Sequence, residues 1–364
     1  MAKKNKGDRR NLFVEIIKDP ERKSLFRIIY ELFFLCCIYR ELPTHYFGRY
    51  LFKKNTTNIR EFLPNRFSEK IVPFFNDKKF KEVLDNKLYF DLYYRQFNIR
   101  MPEILMYNHK NVFIVGTDRY EVNSLNDFTG LLDVVFDKNP LHNSIFIKKN
   151  YASSGGSNIF KLSRNQFKEA PEIIDRIYSE IIKSEFLFQV AIKQHHKLDE
   201  LNSSCLNTIR IDTFLDQEGK IEVISGFLRM SLNDLHIDNI SAGGCMVGID
   251  VQTGKLKNVG FPNIRTHGVK LLYEHPVTRV KFEDFTIPFF SQVKDLVIKS
   301  ACYTPELRLI GWDVAIGESG PVLIEGNSDY GLTGNDLSEG GYLANIRFKK
   351  VMDEMKHKHK SNNR

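Results

Sequence analysis

The sequence lacks most features that assign a function quickly. Its five cysteines lie at positions 36, 37, 205, 245 and 302, and no Cys-x-x-Cys occurs. An odd number without metal spacing argues against a disulfide framework or a zinc ribbon and fits a reducing, cytoplasmic compartment. No G-x-x-x-x-G-K-[ST] and no G-x-G-x-x-G is present, so there is no P-loop and no dinucleotide fingerprint. No H-E-x-x-H occurs, and His195 and His196 read as surface or supporting residues. Long apolar runs are missing too. The greasiest stretch, Ile28–Tyr39, is 12 residues long and contains Glu31, which is short of a membrane span. It reads first as a buried or partner-binding helix and second as a membrane-surface helix. It lies too far from the start for a signal peptide, and no small-residue cleavage site follows it.

A charge bias is absent from the body of the chain. The net charge of +8 over 364 residues comes from the two ends. The first ten residues carry five basic side chains against one acid, and the last nine carry Lys356, Lys358, Lys360 and Arg364. The span between them is neutral. The high isoelectric point therefore reports two basic tails rather than a nucleic-acid face, and no specific nucleic-acid partner is expected. The length is enough for two or three domains.

Residues 11–70 are mainly helical in pattern, with a break near Leu42-Pro43. Strands are expected at Ile104–Met106 and Val112–Val115, then a helix over Leu125–Phe136 capped by Asn123 or Ser124. The run SIFIKK at 144–149 and the segment Asn158–Leu162 read as strands around a small-residue loop, Tyr151–Ser157. A Gly/Ser hairpin tip with a lysine at its base can fold over a polyphosphate. Alternation alone does not separate Lys148 from Lys149. A helix is expected over Gln166–Lys183, then an apolar strand, Phe186–Ile192, which can line an adenine slot or simply sit in the core. Further strands carry Arg210 and Arg229, and another covers Cys245–Val251. Helices are expected over Phe285–Ala301 and near Tyr342–Met355.

The most informative stretch is Arg308–Asn327, RLIGWDVAIGESGPVLIEGN. It reads as a hairpin closed by a three-residue loop, Glu318-Ser319-Gly320, with a left-handed glycine last. That loop pairs Gly317 with Pro321, and so places Asp313 opposite Glu325 and Gly311 opposite Asn327. These residues and Ala315 then share one face, while Ile310, Trp312, Val314, Ile316, Val322 and Ile324 form the core face. A four-residue loop would put the two acids on opposite faces. Opposed carboxylates repel unless a proton or cation lies between them. Two carboxylates and one amide oxygen beside small residues suit Mg²⁺ held partly by substrate phosphates.

Together these pieces resemble the ATP-grasp superfamily, and within it the sugar-transfer-associated ATP-grasp proteins. The likeness runs from about Asp85 to Gly334. Its motifs are Asp85-Asn86-Lys87, Asn98–Pro102, FIKKN with the SSGG loop, the segment Gln189–His195, NTIRI, LRM with DNISAGG, and GWDVAIGESGPVLIEGN. The resemblance implies an α+β fold whose two lobes clasp ATP. It implies that Lys87 and Lys148 contact phosphates, that Ser153, Ser154, Gly155 and Gly156 belong to a flap over them, and that Gln189, Ala191 and Ile192 belong to the hinge strand facing adenine. Asp313, Glu325 and Asn327 correspond to the usual Mg²⁺ (or Mn²⁺) ligands. Two departures stand out against related carboxylate ligases. Tyr330 occupies the proline position of Asn-x-x-Pro-Gly, and Gly311 stands where those enzymes carry an arginine, a charge that Arg210 or Arg229 can supply.

The expected activity is ATP-dependent ligation of a small-molecule carboxylate to an amine, such as an amino sugar, in glycan biosynthesis. Arg210 and Arg229 would stabilise the acyl-phosphate and the transition state. Alternatives are a non-catalytic nucleotide-binding subunit with a glycosyltransferase or membrane-surface partner, at the inner face of the membrane, and a kinase acting on a hydroxyl. The expected organisation is a helical accessory region at 1–70, a segment preceding the ATP-grasp lobes at 71–125, a small lobe at 126–188, a large lobe at 189–350 and a basic tail at 351–364.

Overall fold

The computed structural model describes residues 12–151, 159–232 and 243–362. The chain opens with helices α1 (Leu12–Lys18), α2 (Leu25–Tyr39), α3 (His45–Gly48) and α4 (Asn65–Phe75). Helix α2 starts where the Ser24 side chain accepts the Arg27 N–H, and it ends at Arg40, which is left-handed and donates its N–H to the Cys36 carbonyl. Two further helices, α5 (Glu82–Asp85) and α6 (Lys87–Arg95), meet at Asn86. The Asn86 side chain accepts the N–H groups of Leu88 and Tyr89, which fixes Lys87 as the first residue of α6.

A first sheet follows, built from β1 (Ile104–His109), β2 (Val112–Val115), β3 (Asp118–Glu121), β4 (Ser144–Lys149), β5 (Ile159–Ser163) and β6 (Glu185–Val190). Helix α7 (Leu125–Lys138) lies between β3 and β4, while α8 (Arg164–Glu169) and α9 (Pro171–Ile181) lie between β5 and β6. The strands run in the order β3-β2-β1-β6-β4-β5, every neighbour antiparallel. Ile145 and Ile147 of β4 and Phe186 and Phe188 of β6 join Phe128, Leu132, Ile174 and Ile177 of α7 and α9 in one core. β1–β3 and β4–β6 thus share one sheet and one core, and a division at 125/126 falls inside this unit. Ser124 caps α7 in a reciprocal pair with Asp127. The single helix expected over Gln166–Lys183 is two helices. Pro171 lacks an N–H to continue α8, but it suits the first turn of a new helix.

After α10 (His196–Leu201) comes a second sheet of β7 (Thr208–Leu215), β8 (Ile221–Met230), β9 (Cys245–Ile249), β10 (Leu256–Pro262), β11 (Leu309–Gly317) and β12 (Gly320–Asn327). Helices α11 (Ile264–His267) and α12 (Phe290–Ala301) are inserted before β11, and α13 (Thr333–Glu339) and α14 (Ile346–Asn362) close the chain. The strand order is β10-β9-β8-β7-β11-β12, again antiparallel throughout. Several boundaries differ from expectation, most clearly in two helices. Helix α12 begins at Phe290 rather than Phe285, beyond Pro288, and α14 continues to Asn362 through much of the stretch expected to be a basic tail. Strands β3 and β10 were not anticipated.

One face of the second sheet buries Ile209, Ile211, Leu228, Val247, Trp312 and Val314 against Val293 and Val297 of α12 and Phe90 and Tyr94 of α6. On the other face, Phe227 stands opposite Arg210, and Met246 opposite Arg229. Phe227 and Met246 pack with Ile16, Ile28, Leu35 and Phe52 of the N-terminal helical region. That region therefore walls the face that carries the two arginines.

Candidate functional site

The β11–β12 hairpin forms by a different route from the one its sequence suggests. Gly317 pairs with Gly320, so the loop has two residues, Glu318 and Ser319, and Gly320 takes φ +119°. That turn alone would set Ile324 opposite Asp313. A β-bulge at Ile324 corrects the count, so Asp313 still faces Glu325, and Gly311 still faces Asn327. The core face changes accordingly: Leu323, paired with Val314, joins the main core, Val322 is buried on the other face opposite Ala315, and Ile324 is half-buried. The turn is clamped on both sides. Arg100 donates to the Ser319 carbonyl at 2.8 Å and to its Oγ at 2.6 Å. The His196 backbone N–H reaches a Glu318 carboxylate oxygen at 3.2 Å, and its ring Nδ1 lies 3.2 Å from the other oxygen.

Strand β7 pairs with the other edge of β11, which sets Arg210 opposite Asp313 and Asp212 opposite Gly311. Arg210 grips Asp313 with two bonds, Nε to Oδ1 at 2.5 Å and Nη2 to Oδ2 at 3.2 Å. From β8, Arg229 Nη2 reaches Asp313 Oδ2 at 2.8 Å, and its Nε and Nη2 hold Thr208 Oγ1 at 3.0 and 2.7 Å. From α6, Lys87 Nζ lies 3.3 Å from Glu325 Oε2. The Asp313 side chain is 4% exposed, while those of Lys87 and Glu325 are 19% and 27% exposed, so Asp313 forms the floor and the other two the rim. Burial works against the Asp313 charge. The guanidinium groups of Arg210 and Arg229 outweigh it and hold this carboxyl well below the usual range. Arg210 also faces a burial penalty, and Asp313 overcomes it and keeps the guanidinium charged.

Three cations thus surround two carboxylates, and their repulsion is relieved by the protein's own side chains. The acid pair alone is therefore no argument for a metal; the donor set is. Asn327 Nδ2 donates to the Gly311 carbonyl at 3.1 Å, which leaves its amide oxygen to accept. Carboxylate oxygens of Asp313 and Glu325 with that amide oxygen form a hard, oxygen-only set that suits Mg²⁺ or Mn²⁺.

The two departures at Gly311 and Tyr330 prove to be one contact. A Cβ at position 311 would lie 3.1–3.2 Å from the Tyr330 ring. Arg210 in turn lies over the same ring, 5.5 Å from its centroid. The aromatic ring occupies the space above Gly311, and the cation near it comes from β7. Behind Tyr330, Asp212 accepts from Asn335 Nδ2 at 2.7 Å, and burial pushes its carboxyl up to about 7. The buried Tyr330 hydroxyl and Asp212 Oδ1 each lack a well-formed hydrogen bond. Thr208 and Asp212 were not singled out from the sequence, although Thr-x-Arg-x-Asp is a period-two pattern that places both beside Arg210.

On the first sheet, Lys148 pairs with Leu187 and Phe146 with Gln189. Lys148 and Gln189 thus share the face opposite Ile145, Ile147, Phe186 and Phe188, whereas Lys149 alternates with the core residues. The Lys87 backbone N–H donates to the Asn150 carbonyl at 3.1 Å, which ties the start of α6 to the end of β4. The Ala191 N–H is committed to the Ser144 carbonyl at 3.1 Å. Beyond Ile192 the chain crosses to the second sheet, where the His195 N–H meets the Ile316 carbonyl at 2.9 Å. His195, His196 and Glu318 come within 4.8 Å of one another, a grouping not visible as a motif. His195 Nδ1 is already used there as an acceptor for the Lys197 N–H, capping α10. Ser153, Ser154, Gly155 and Gly156 lie outside the described residues, as does most of DNISAGG.

The profile of the sugar-transfer-associated ATP-grasp family matches residues 66–352, most of the chain. The chain belongs to this family, and its two antiparallel sheets with flanking helices are an ATP-grasp fold. No curated protein matches it. Among solved structures it is similar to D-alanyl-alanine synthetase A from Vibrio cholerae O1 biovar eltor, at 12% identity and a TM-score of 0.42, over 74% of this chain and 65% of that one. The D-cycloserine synthetase DcsG is similar at 10% identity and a TM-score of 0.46, over 81% and 82% of the two chains. The D-alanine–D-alanine ligase from Bacillus anthracis is similar at 13% identity and a TM-score of 0.40, over 74% and 66%. Likeness at this level carries nothing about substrates.

Proposed function

We propose that the protein is an ATP-dependent ligase that joins a carboxylate to an amine through an acyl-phosphate. The observation that carries this is the convergence of Arg210, Arg229 and Lys87 on the acids Asp313 and Glu325. Three positive and two negative side chains leave the cluster with one net positive charge, ready for an anionic ligand. Asp313, Glu325 and Asn327 would hold the cation. When bound, Mg²⁺ supplies charge neutralisation for the polyphosphate.

Each protein group then has a task that follows from its position. Lys87, on the rim at a helix start, contacts phosphate, and Lys148 reaches it from the first sheet. Arg210 and Arg229 sit deeper and are already aligned, so they meet charge developing on the transferred phosphoryl group with little reorganisation. The substrate carboxylate attacks the γ-phosphorus and releases ADP. The amine then attacks the acyl carbon and expels inorganic phosphate, with loss of one proton. Family membership favours a carboxylate such as an amino acid and an amino group on a sugar or cell-surface glycan.

The test is ADP release by purified protein with paired amino acids and amino sugars, followed by mass analysis of the product. An amide product together with loss of turnover in Asp313→Asn supports the proposal. ADP release that yields a stable phosphoester would replace the ligase with a kinase.

A further inference from the structure

Helix α2 buries Ile28, Glu31 and Leu35 against the N-terminal core. Its opposite side carries Phe26, Ile29, Tyr30 and Phe33, which are 83%, 66%, 53% and 69% exposed. These positions fall at i, i+3, i+4 and i+7, so they form one continuous face. The preceding helix, α1, adds exposed Phe13, Val14 and Ile17. An apolar face of this size is unusual on a soluble surface.

The charges around it narrow the occupant. Glu31 is the lone acid between Leu25 and Tyr39. It is turned inward, 2.8 Å from Lys23 Nζ and 2.6 Å from Arg27 Nε, and it accepts from the Tyr46 hydroxyl at 2.7 Å. The exposed side of α2 therefore shows no carboxylate, and the ion it does expose is Arg27. Lys18 and Arg40, both exposed, flank it. Residues 3–10, just before α1, add Lys3, Lys4, Lys6, Arg9 and Arg10 against a single acid. Fifteen residues of helix reach only about 22 Å, short of a bilayer core of about 30 Å.

We propose that this face of α2 docks on an anionic lipid bilayer, with the helix lying in the plane of the interface. Apolar insertion and basic flanks are the two signals that together give stable, reversible attachment. A protein groove fits less well, since the exposed side of α2 offers one hydroxyl, Tyr30, and no acid for a partner's cation; the neighbouring acids Glu15, Glu21 and Glu41 lie on α1 and the flanking turns. The proposal is independent of the ligase reading, and each can fail alone.

The test is flotation of the full chain with vesicles of phosphatidylcholine alone or of phosphatidylcholine and phosphatidylglycerol in equal parts. The comparison is the triple variant Phe26→Ser, Ile29→Ser, Phe33→Ser, whose altered positions lie outside every core cluster. The wild type should float with the anionic vesicles and bind about tenfold less to neutral ones or in high salt. The triple variant should lose about tenfold while its circular dichroism spectrum and denaturant midpoint match those of the wild type, which shows that it is folded. No flotation of the wild type, or equal flotation of both proteins, would overturn the proposal. So would a wild-type dimer that ignores vesicles and falls apart in the triple variant, since the occupant would then be a second copy.

Discussion

Replacing Asp313 by Asn probes the site in two opposite directions at once. The amide keeps the shape but removes the one carboxylate that both arginines hold. Arg210 and Arg229, with side chains only 12% and 13% exposed, are left facing Glu325 and each other. Breaking a buried ion pair by removing one partner costs about 3–5 kcal/mol. The amide oxygen can still accept one bond, and Thr208 still holds Arg229, so the loss should lie near the low end, about 3 kcal/mol, read by denaturant unfolding. Ligand binding should move both ways. The cluster gains one unit of positive charge. At about 8 Å and an effective dielectric of about 20, one added charge is worth roughly 2 kcal/mol toward an anion, before screening. Calorimetry without metal should therefore show inorganic tripolyphosphate binding about tenfold tighter to the variant. With Mg²⁺ the order should reverse: the cation tightens ATP binding to the wild type and fails to do so for Asp313→Asn. A variant that keeps its Mg²⁺ enhancement, with unchanged metal-free affinity, would refute the assignment of Asp313.

Three further outcomes are expected. Gly311→Ala pushes a methyl group into the Tyr330 ring and should cost about 1–3 kcal/mol, a loss that largely disappears when Tyr330→Ala is added; additive losses in the double variant would deny the contact. Lys87→Met should weaken ATP binding about tenfold in calorimetry yet change unfolding free energy by less than about 1 kcal/mol, because its pair with Glu325 is partly exposed. Burial raises Asp212 from 3.8 to about 7, and Arg210, Tyr330, Tyr342 and Asp313 surround it. Across that window the folded chain keeps a proton that the unfolded chain has lost, so this group makes stability fall as pH rises. Burial raises Asp336 to about 6, with the same sign, and lowers His45 to about 4, with the opposite sign. The measurement is therefore the difference between two pH profiles: Asp212→Asn should lose less stability than the wild type between pH 4 and 7, and identical slopes would contradict it.

Much of this site could be read along the chain, because β-strand alternation is local. Asp313, Glu325 and Asn327 fell on one face by counting, yet the count succeeded through two offsetting features. A two-residue turn and a bulge at Ile324 give the same sum as one three-residue loop. Bulges leave little trace in a run such as Pro321–Ile324, so Leu323 rather than Ile324 packs into the main core, and Val322 is buried on the opposite face. The pairing of Arg210 and Arg229 with Asp313 spans 103 and 84 residues, and only the strand order β8-β7-β11 brings them together. Lys148 separates from Lys149 once β4 has a partner in register. Gly311 and Tyr330 looked like two unrelated departures, since nothing local says that one fills the space of the other. The break at Pro171 was legible and missed: an amphipathic pattern continued across it, but the missing N–H divides the helix.

Asp313, Glu325 and Asn327 are proposed to hold one divalent cation beside a nucleotide gripped by Lys87 and the two arginines. A crystal grown with Mn²⁺ and a non-hydrolysable ATP analogue tests this directly through anomalous scattering. One manganese peak bonded to oxygens of all three residues is expected, with Lys87 against the phosphates. A peak among His195, His196 and Glu318 alone, or a nucleotide bound with no cation on Asp313, would contradict it.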